Sequence, residues 1–232
     1  MRVAALYDVH GNLPALEAVL TDVEREGVDE IVFGGDIAAG PFPRKTLALV
    51  RSLDAYSILG NGDRPFRERA EAAWVWDQHS EDEIAWLGAL PERLVLENTL
   101  FVHATPRSIE EIVTPVTPDD RLAEILEGVE QEIVVAGHTH MQQDRRVGPW
   151  RFVNAGSVGM PYEDRPGAYW AILDEDVELR RTDYDLAAAA EAIRASGWPI
   201  AQEFAAENVL QVPSREEAAT LFERMAVEGV EP

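Results

Sequence analysis

Residues 2–36 read RVAALYDVHGNLPALEAVLTDVEREGVDEIVFGGD, and this stretch decides the fold. The apolar runs at 2–7 and 30–33 predict two buried strands. The segment between them, residues 13–26, predicts a helix because its apolar residues recur at helical spacing. A strand, a helix and a second strand in this order predict parallel strands joined by a crossover helix.

The alternation of strands and helices continues and then gives way to strands alone. A helix is predicted at 44–53 and a strand at 55–59, and a hairpin is predicted around Asn98. Further strands are predicted at 132–136, 142–147, 150–153, 168–173 and 177–183. The first half is therefore α/β and the second half β-rich. Two sheets packed face to face, with helices outside, satisfy both halves.

Three helix starts carry specific signals. Ser80 precedes Glu83 by three residues and Ser214 precedes Glu217 by three, which is the spacing of a capping box. Pro118 predicts a helix that begins with proline at its first position. The segment 185–232 is predicted to be helical and carries no chemical motif. We expect it to pack on the same domain or to form an interface, including one between copies of the chain.

The bulk composition limits the classes of function. The chain has 232 residues, no cysteine and a formal net charge of −23. A strongly acidic surface repels nucleic-acid backbones, so we expect no stable nucleic-acid binding. No apolar run approaches the roughly 18 residues of a membrane span, and the N-terminal apolar run is too short for a signal peptide. We therefore expect a cytoplasmic protein that does not bind a membrane.

Five predicted strands each run into a polar residue of a type that binds metals. These residues are Asp8 and His10, Asp36, Asn61, His103, and His138 with His140. Strand ends of an open α/β sheet form its ligand-binding edge, so we expect these side chains to meet. The fifth histidine of the chain, His79, is interpreted as a surface or helix-flank residue.

The mixture of carboxylate, amide and imidazole groups indicates transition metals. Such a set suits manganese, iron, zinc, nickel or cobalt better than magnesium or calcium. Seven groups exceed what one ion takes from a protein, whereas two ions that share a carboxylate would use them all. The sequence therefore predicts two divalent transition-metal ions, with manganese favoured.

These blocks resemble the calcineurin-like metallophosphoesterase superfamily. The blocks are DVH (8–10), GGD (34–36), GNGD (60–63), VHA (102–104) and GHTH (137–140), in family order. The stretches DVHGNLPALEAVL and NAGSVGMP (154–161) are similar to the small bacterial YfcE-like phosphodiesterase branch. The resemblance implies a four-layer αββα sandwich of two mixed β-sheets flanked by helices. It places the metallophosphoesterase domain at 1–184 and the helical extension at 185–232.

The resemblance also assigns the ligands. It implies one metal held by Asp8, His10, Asp36 and His140, and a second held by Asp36, Asn61, His103 and His138, with Asp36 bridging. Asp36, Asn61 and Asp63 become the candidate catalytic residues.

The chain departs from the family pattern at Gly62, where many members have a histidine that protonates the leaving group or stabilises phosphoryl charge. Departure of the leaving group would then rely on the metals, on water or on a good leaving group. Asp63, without that histidine, either braces the loop or takes part in the chemistry. Asn12 and Arg64 are candidate phosphate contacts, but Asn12 could instead cap a helix and Arg64 could form a surface ion pair.

The implied function is hydrolysis of small phosphodiesters by a metal-bridging hydroxide that attacks phosphorus in line. The alternatives are a phosphomonoesterase or protein phosphatase, and a catalytically weak scaffold such as the retromer subunit of this fold. All seven ligand positions are filled, which favours the enzyme. Gly62 counts against a protein phosphatase, because those enzymes usually keep the histidine.

Overall fold

Two five-stranded sheets form the centre of the protein, which is described here by a computed structural model covering residues 1–229. The strands are β1 (Val3–Leu6), β2 (Glu30–Phe33), β3 (Tyr56–Ser57), β4 (Arg93–Leu96), β5 (Thr99–Val102), β6 (Ile133–Ala136), β7 (Gln143–Val147), β8 (Trp150–Asn154), β9 (Ala168–Leu173) and β10 (Val177–Thr182). Each of the predicted strands is present, although the one predicted at 55–59 contains only the two residues of β3.

Both sheets are mixed. The first has the order β10-β9-β1-β2-β3, and the second has the order β4-β5-β6-β8-β7. β1, β2 and β3 are parallel, as the strand–helix–strand pattern predicts, and so are β5, β6 and β8. β4 and β5 form the predicted antiparallel hairpin.

Eight α-helices flank the sheets within the described residues. They are α1 (Leu13–Glu26), α2 (Pro43–Ser52), α3 (Ala70–Gln78), α4 (Glu81–Gly88), α5 (Asp119–Leu126), α6 (Leu186–Arg194), α7 (Ala201–Phe204) and α8 (Arg215–Glu228). The capping boxes at Ser80 and Ser214 are both formed. Residues 205–210 continue α7 as a π-helical segment.

Alternating side chains of β1 show how the layers are built. Val3, Ala5 and Tyr7 point towards the second sheet and form a core with residues such as Val135 and Val153. Ala4 and Leu6 point the other way, into a core shared with α1 and α2. The outer face of the second sheet packs against α5. The observed layers are helix, sheet, sheet and helix, which confirms the expected αββα sandwich.

The C-terminal helices pack on the body of the protein through two separate clusters. Residues of α6 and α7 form a cluster with Val75 of α3 and Trp198. Residues of α8, including Phe222, form another with Ile112, Met141 and Tyr162. Whether residues 185–232 also join copies of the chain stays a prediction.

The structure adds one helix that was not predicted and corrects two sequence-based expectations. The helix α3 is not predicted from the sequence, because its AEAAWVWDQ stretch lacks a clear apolar period. Pro118 is the residue before α5 rather than its first residue. His79 follows α3 directly, as a helix-flank residue, but its side chain is fully buried rather than at the surface.

Among residues 1–229, no helix combines the length and the apolar character of a membrane-spanning segment.

Candidate metal centre

The seven predicted ligands come together where the strands of both sheets end. Asp8 and His10 follow β1, Asp36 follows β2 and Asn61 follows β3, so the first sheet supplies these four. The second sheet supplies His103 after β5, and His138 and His140 after β6. The site therefore lies at the edge where the two sheets meet.

One group of ligand atoms surrounds His10. The Nε2 atoms of His10 and His140 are 3.1 Å apart. His10 Nε2 lies 3.6 Å from Asp36 Oδ2, and His140 Nε2 lies 3.5 Å from Asp8 Oδ1. Metal–ligand bonds of about 2.0–2.2 Å place ligands of one ion at about such separations.

A second group surrounds His103. Its Nε2 atom lies 3.0 Å from Asn61 Oδ1, 3.6 Å from Asp36 Oδ1 and 3.9 Å from Asp8 Oδ1. The ring of His138 packs edge-on against the His103 ring, with 5.2 Å between centroids. The two oxygens of Asp36 thus face different groups, and Asp8 Oδ1 lies near both.

The ring nitrogens of three histidines are fixed by backbone carbonyl groups. His103 Nδ1 donates to Gly34 O at 2.8 Å, and His140 Nδ1 donates to Met160 O at 2.7 Å. These bonds leave Nε2 of both rings free to bind a metal. His138 is held in the opposite sense, since its Nε2 donates to Glu110 O at 3.1 Å and leaves Nδ1 free. Carbonyl partners of this kind orient metal-binding histidines.

Five of the seven ligand residues have a left-handed backbone. Their φ angles are 53° at Asp8, 46° at His10, 52° at Asp36, 67° at His138 and 57° at His140. Residues other than glycine rarely adopt a positive φ angle, and backbone strain of this kind concentrates at functional sites. Hydrogen bonds stabilise this backbone at Asp8, whose carbonyl accepts from Ser157 Oγ at 2.7 Å and from Gly159 N at 3.0 Å.

Burial and neighbouring charges prepare the ligands for a cation. Burial alone would raise the pKa of Asp8, but the adjacent histidines, His140 above all, lower it to about 2. Burial and the nearby His103 lower the pKa of His138 to about 4, so its imidazole is neutral. Burial also lowers the pKa of His10. Burial opposes a charge on His103, but Asp36 and Asp8 outweigh it and raise the pKa of that ring.

The contact between His10 and His140 fits a shared cation. His140 donates through Nδ1 to Met160 O, which leaves its Nε2 as an acceptor. That Nε2 faces His10 Nε2 at 3.1 Å, so the two ring nitrogens are placed to bind one cation. Asp8 Oδ1 is likewise buried and has no hydrogen-bond partner among residues 1–229. Buried polar atoms are ordinarily satisfied, so these acceptors fit metal ions.

Asp63 lies behind Asp36 rather than beside the ligand atoms. Its carboxylate accepts hydrogen bonds from the backbone N–H groups of Asp36, Ile37 and Gly60 at 2.8, 2.9 and 3.1 Å. Burial and the charge of Asp36 raise the pKa of Asp63 to about 7, although the N–H groups favour its charged form. These contacts support the loop-bracing alternative.

The two candidate phosphate contacts are already engaged. Asn12 is fully buried, accepts from Ala15 N at 3.3 Å as the cap of α1, and donates to Gly159 O at 2.9 Å. Arg64 is exposed and paired with Glu92 at 2.8 Å. Arg64 nevertheless lines a cleft together with His10 and Asn61, so it stays within reach of a substrate.

Tyr162 is a site residue that the sequence does not reveal. Its ring stacks on the His140 ring with 4.9 Å between centroids and 27° between planes. On its other side it packs against Phe222 of α8. Tyr162 follows directly on the NAGSVGMP stretch, which assigns no role to it.

Comparison with known proteins agrees with this geometry. A model of the calcineurin-like phosphoesterase superfamily domain matches residues 1–178. The chain belongs to this superfamily. An uncharacterised protein of Methanocaldococcus jannaschii is 27% identical over 231 residues, covering 82% of this chain and 91% of its own.

Two solved structures share the fold, and a third is similar over a large part of the chain. A metallophosphoesterase from Sphaerobacter thermophilus is 29% identical, with a TM-score of 0.74 and coverage of 90% of this chain and 100% of its own. A hypothetical protein from Pyrococcus horikoshii OT3 is 21% identical, with a TM-score of 0.77 and coverage of 88% and 97%. The E. coli phosphoesterase Yfce is 21% identical, with a TM-score of 0.49 and coverage of 80% and 100%. Membership of the calcineurin-like phosphoesterase superfamily confirms the family expected from the sequence.

Proposed function

We propose that the protein is a dinuclear metal-dependent phosphoesterase that hydrolyses small phosphodiesters. The observation that carries this proposal is the arrangement of Asp36. Its Oδ2 atom faces His10 and its Oδ1 atom faces His103, so the two carboxylate oxygens face two different groups of candidate ligands. The first ion would be held by Asp8, His10, Asp36 and His140, and the second by Asp36, Asn61, His103 and His138. Manganese is the favoured ion, and iron, zinc, nickel and cobalt suit the same ligands.

When bound, two such ions would lower the pKa of water and neutralise charge on the phosphate oxygens. In the reaction, the oxygen of water bonds to phosphorus and the bond to one ester oxygen breaks. The departing oxygen takes up a proton, which yields an alcohol and a phosphomonoester.

The chain's own residues keep the ligands in place. The carbonyl groups of Gly34, Glu110 and Met160 hold three imidazole rings. The N–H of Gly62 donates to Asp36 Oδ1 at 2.6 Å, and Asp63 holds the Asp36 backbone from behind. A site fixed this firmly needs little reorganisation during the reaction.

Gly62 supplies no side chain that could protonate the departing oxygen. We therefore propose that the rate depends strongly on the pKa of the leaving group, which favours diesters with acidic alcohols. A flat dependence across a series of aryl diesters, with chemistry rate-limiting, would show that another residue acts as the acid.

The test is hydrolysis of bis(p-nitrophenyl) phosphate by metal-stripped protein before and after addition of Mn²⁺. We expect turnover that requires the metal, that Asp36→Asn abolishes and that the exposed control Asp54→Asn leaves unchanged. Faster hydrolysis of p-nitrophenyl phosphate than of the diester would make the protein a phosphomonoesterase. Absence of turnover with manganese, nickel, cobalt, iron and zinc would contradict the enzyme and favour the scaffold.

A further inference from the structure

A cleft of about 620 Å³ opens directly beside the candidate metal centre. His10, Asn61 and Gly62 line one end of it. The volume falls within the range of small-molecule binding sites, about 300–1,000 Å³. A substrate whose phosphate lies at the metal centre can therefore extend into this space.

Gly62 lines the cleft next to Asp36 and contributes only backbone there. A Cβ atom at this position would lie 3.1 Å from the Asp36 carboxylate, in a contact tighter than side chains normally make. A side chain at this position would therefore crowd Asp36.

Apolar and aromatic side chains contribute to the lining of the cleft. Among them are Phe66, Met160, Trp198 and Ile200. The Trp198 indole N–H donates to Glu71 O at 3.1 Å, and its ring packs edge-on against Phe204 at 5.2 Å between centroids. Trp198 is therefore held rigidly. Phe66, by contrast, is 44% exposed.

Charged side chains of both signs accompany these apolar walls. Arg64 and Arg69 line the cleft, and so do Glu71 and Glu110. Arg64 is paired with Glu92 at 2.8 Å and lies 3.9 Å from Glu110. The apolar surface, rather than a net positive charge, therefore distinguishes the cleft as a binding site for a ring.

We propose that the cleft binds an aromatic substituent of the phosphate ester, a planar ring system such as an aryl group or a nucleobase. This assignment rests on the proposed function, because the phosphate must lie at the metal centre. Flat rings gain from contact with aromatic walls beyond the burial of their area. Phe66 and Trp198 are then specificity-determining residues, and neither supplies a metal ligand.

The walls come from parts of the chain that differ from those supplying the ligands. Phe66 belongs to the loop before α3, and Trp198 and Ile200 precede α7. Residues 198 and 200 lie beyond the match to the superfamily domain, which ends at residue 178. The C-terminal segment therefore supplies part of the cleft lining, whereas Phe66 comes from within the matched domain.

The test compares phenylphosphonate with methylphosphonate by calorimetric titration of the Mn²⁺-loaded protein. Both probes carry the same phosphonate group, so the ratio of their dissociation constants cancels the contribution of the metals. We expect phenylphosphonate to bind about tenfold more tightly, since burial of a ring contributes free energy in proportion to its apolar area. Phe66→Ala should bring the ratio close to one, and Phe66→Tyr should preserve it.

Tyr56→Ala is the matched control, because Tyr56 is 41% exposed and lies on β3 outside the cleft. It should leave the ratio unchanged. Equal affinities of the wild-type protein for both phosphonates would overturn the cleft assignment and leave the proposed function standing. Failure of both phosphonates to bind would overturn the proposed function, and the cleft assignment with it.

Discussion

Asp63 holds Asp36 in the conformation that turns its carboxylate towards both histidine groups. One oxygen of Asp63 accepts from the N–H of Asp36, and the other accepts from the N–H of the next residue, Ile37. Asp36 itself has a φ of 52°, so these bonds stabilise a backbone conformation that aspartate rarely adopts. Asp63 is a positioning residue for the shared carboxylate.

Asp63→Asn should weaken both folding and metal binding. The asparagine side chain has one acceptor oxygen, whereas the aspartate carboxylate has two. Its NH₂ group would face the N–H of Asp36 or of Ile37, and that buried N–H would lose its hydrogen-bond acceptor. An unsatisfied buried group costs about 1–3 kcal/mol, and we expect the free energy of unfolding to fall by about that amount. Urea unfolding of the metal-free protein and calorimetric titration with Mn²⁺ measure the two effects. The exposed control Asp54→Asn should change neither, and unaltered Mn²⁺ affinity in Asp63→Asn would show that Asp63 does not position Asp36.

Gly35→Ala should disrupt the site through backbone crowding. A Cβ at Gly35 would lie 2.6 Å from the backbone of Gly60 and 2.8 Å from His103 Nδ1. Gly27 also has a positive φ, but a Cβ there would meet nothing within 4 Å. We expect Gly27→Ala to cost about 1–2 kcal/mol from the left-handed conformation alone. Thermal unfolding should show a clearly larger loss of stability for Gly35→Ala than for Gly27→Ala. Equal losses of stability in the two variants would refute the steric argument.

Arg215→Lys should loosen α8 from the metal centre. The Arg215 guanidinium bonds to both oxygens of Glu163 at 2.7 Å and to Gln142 O at 2.8 Å. Lysine cannot reproduce this fork, and Glu163 is buried, so we expect a loss of about 1–3 kcal/mol in unfolding free energy. Denaturant unfolding measures it, with exposed Arg224→Lys on the same helix as the control. A loss no greater than that of the control would mean that the contacts of Arg215 do not stabilise the protein.

His79→Phe should remove a pH dependence of stability. Neither ring nitrogen of His79 has a hydrogen-bond partner within residues 1–229, although Glu83 lies 3.8 Å from Nδ1. Burial and the nearby Arg44 lower the pKa of His79 below 6.5 in the folded state, and the opposing effect of Glu83 is smaller. As the pH falls, His79 of the unfolded chain therefore binds a proton before His79 of the folded protein does. The stability that the neutral ring provides is present above pH 6.5 and is lost progressively as the pH falls below that value.

The wild-type protein should accordingly lose up to about 1.4 kcal/mol per pH unit relative to His79→Phe below pH 6.5. Urea unfolding of both proteins at pH 7.5, 6.5 and 5.5 gives the difference between their free energies of unfolding. The other histidines are common to both proteins, so their contributions cancel in this difference. Parallel pH profiles would show that His79 is free to protonate in the folded state.

Much of the fold, and the meeting of the seven candidate ligands at one site, could be predicted because buried strands leave a direct trace in the sequence. Runs such as residues 30–33 are apolar until they reach the strand end, where a single Asp36 interrupts the pattern. Parallel pairing then brings such residues to one edge, as observed for β1, β2 and β3. The superfamily resemblance added the order of the blocks.

The remaining features depend on contacts between distant segments. Helix α3 forms without a clear apolar period because Trp76 and Val75 are buried in two different clusters. Tyr162 contacts both His140 and Phe222, which are far from it in the sequence. The left-handed backbone at Asp8 likewise depends on distant segments, since Ser157 and Gly159 donate to its carbonyl.

The division of the ligands between the two sheets has a mechanical consequence. Asp8, Asp36 and Asn61 belong to one sheet, whereas His103, His138 and His140 belong to the other. Any ion held by residues from both would act as a cross-link, resisting shear of one sheet over the other. Because binding to the native state alone stabilises that state, metal affinity and the docking of the sheets are thermodynamically linked. A substitution that lets the sheets slide apart would therefore weaken the metal centre from a distance.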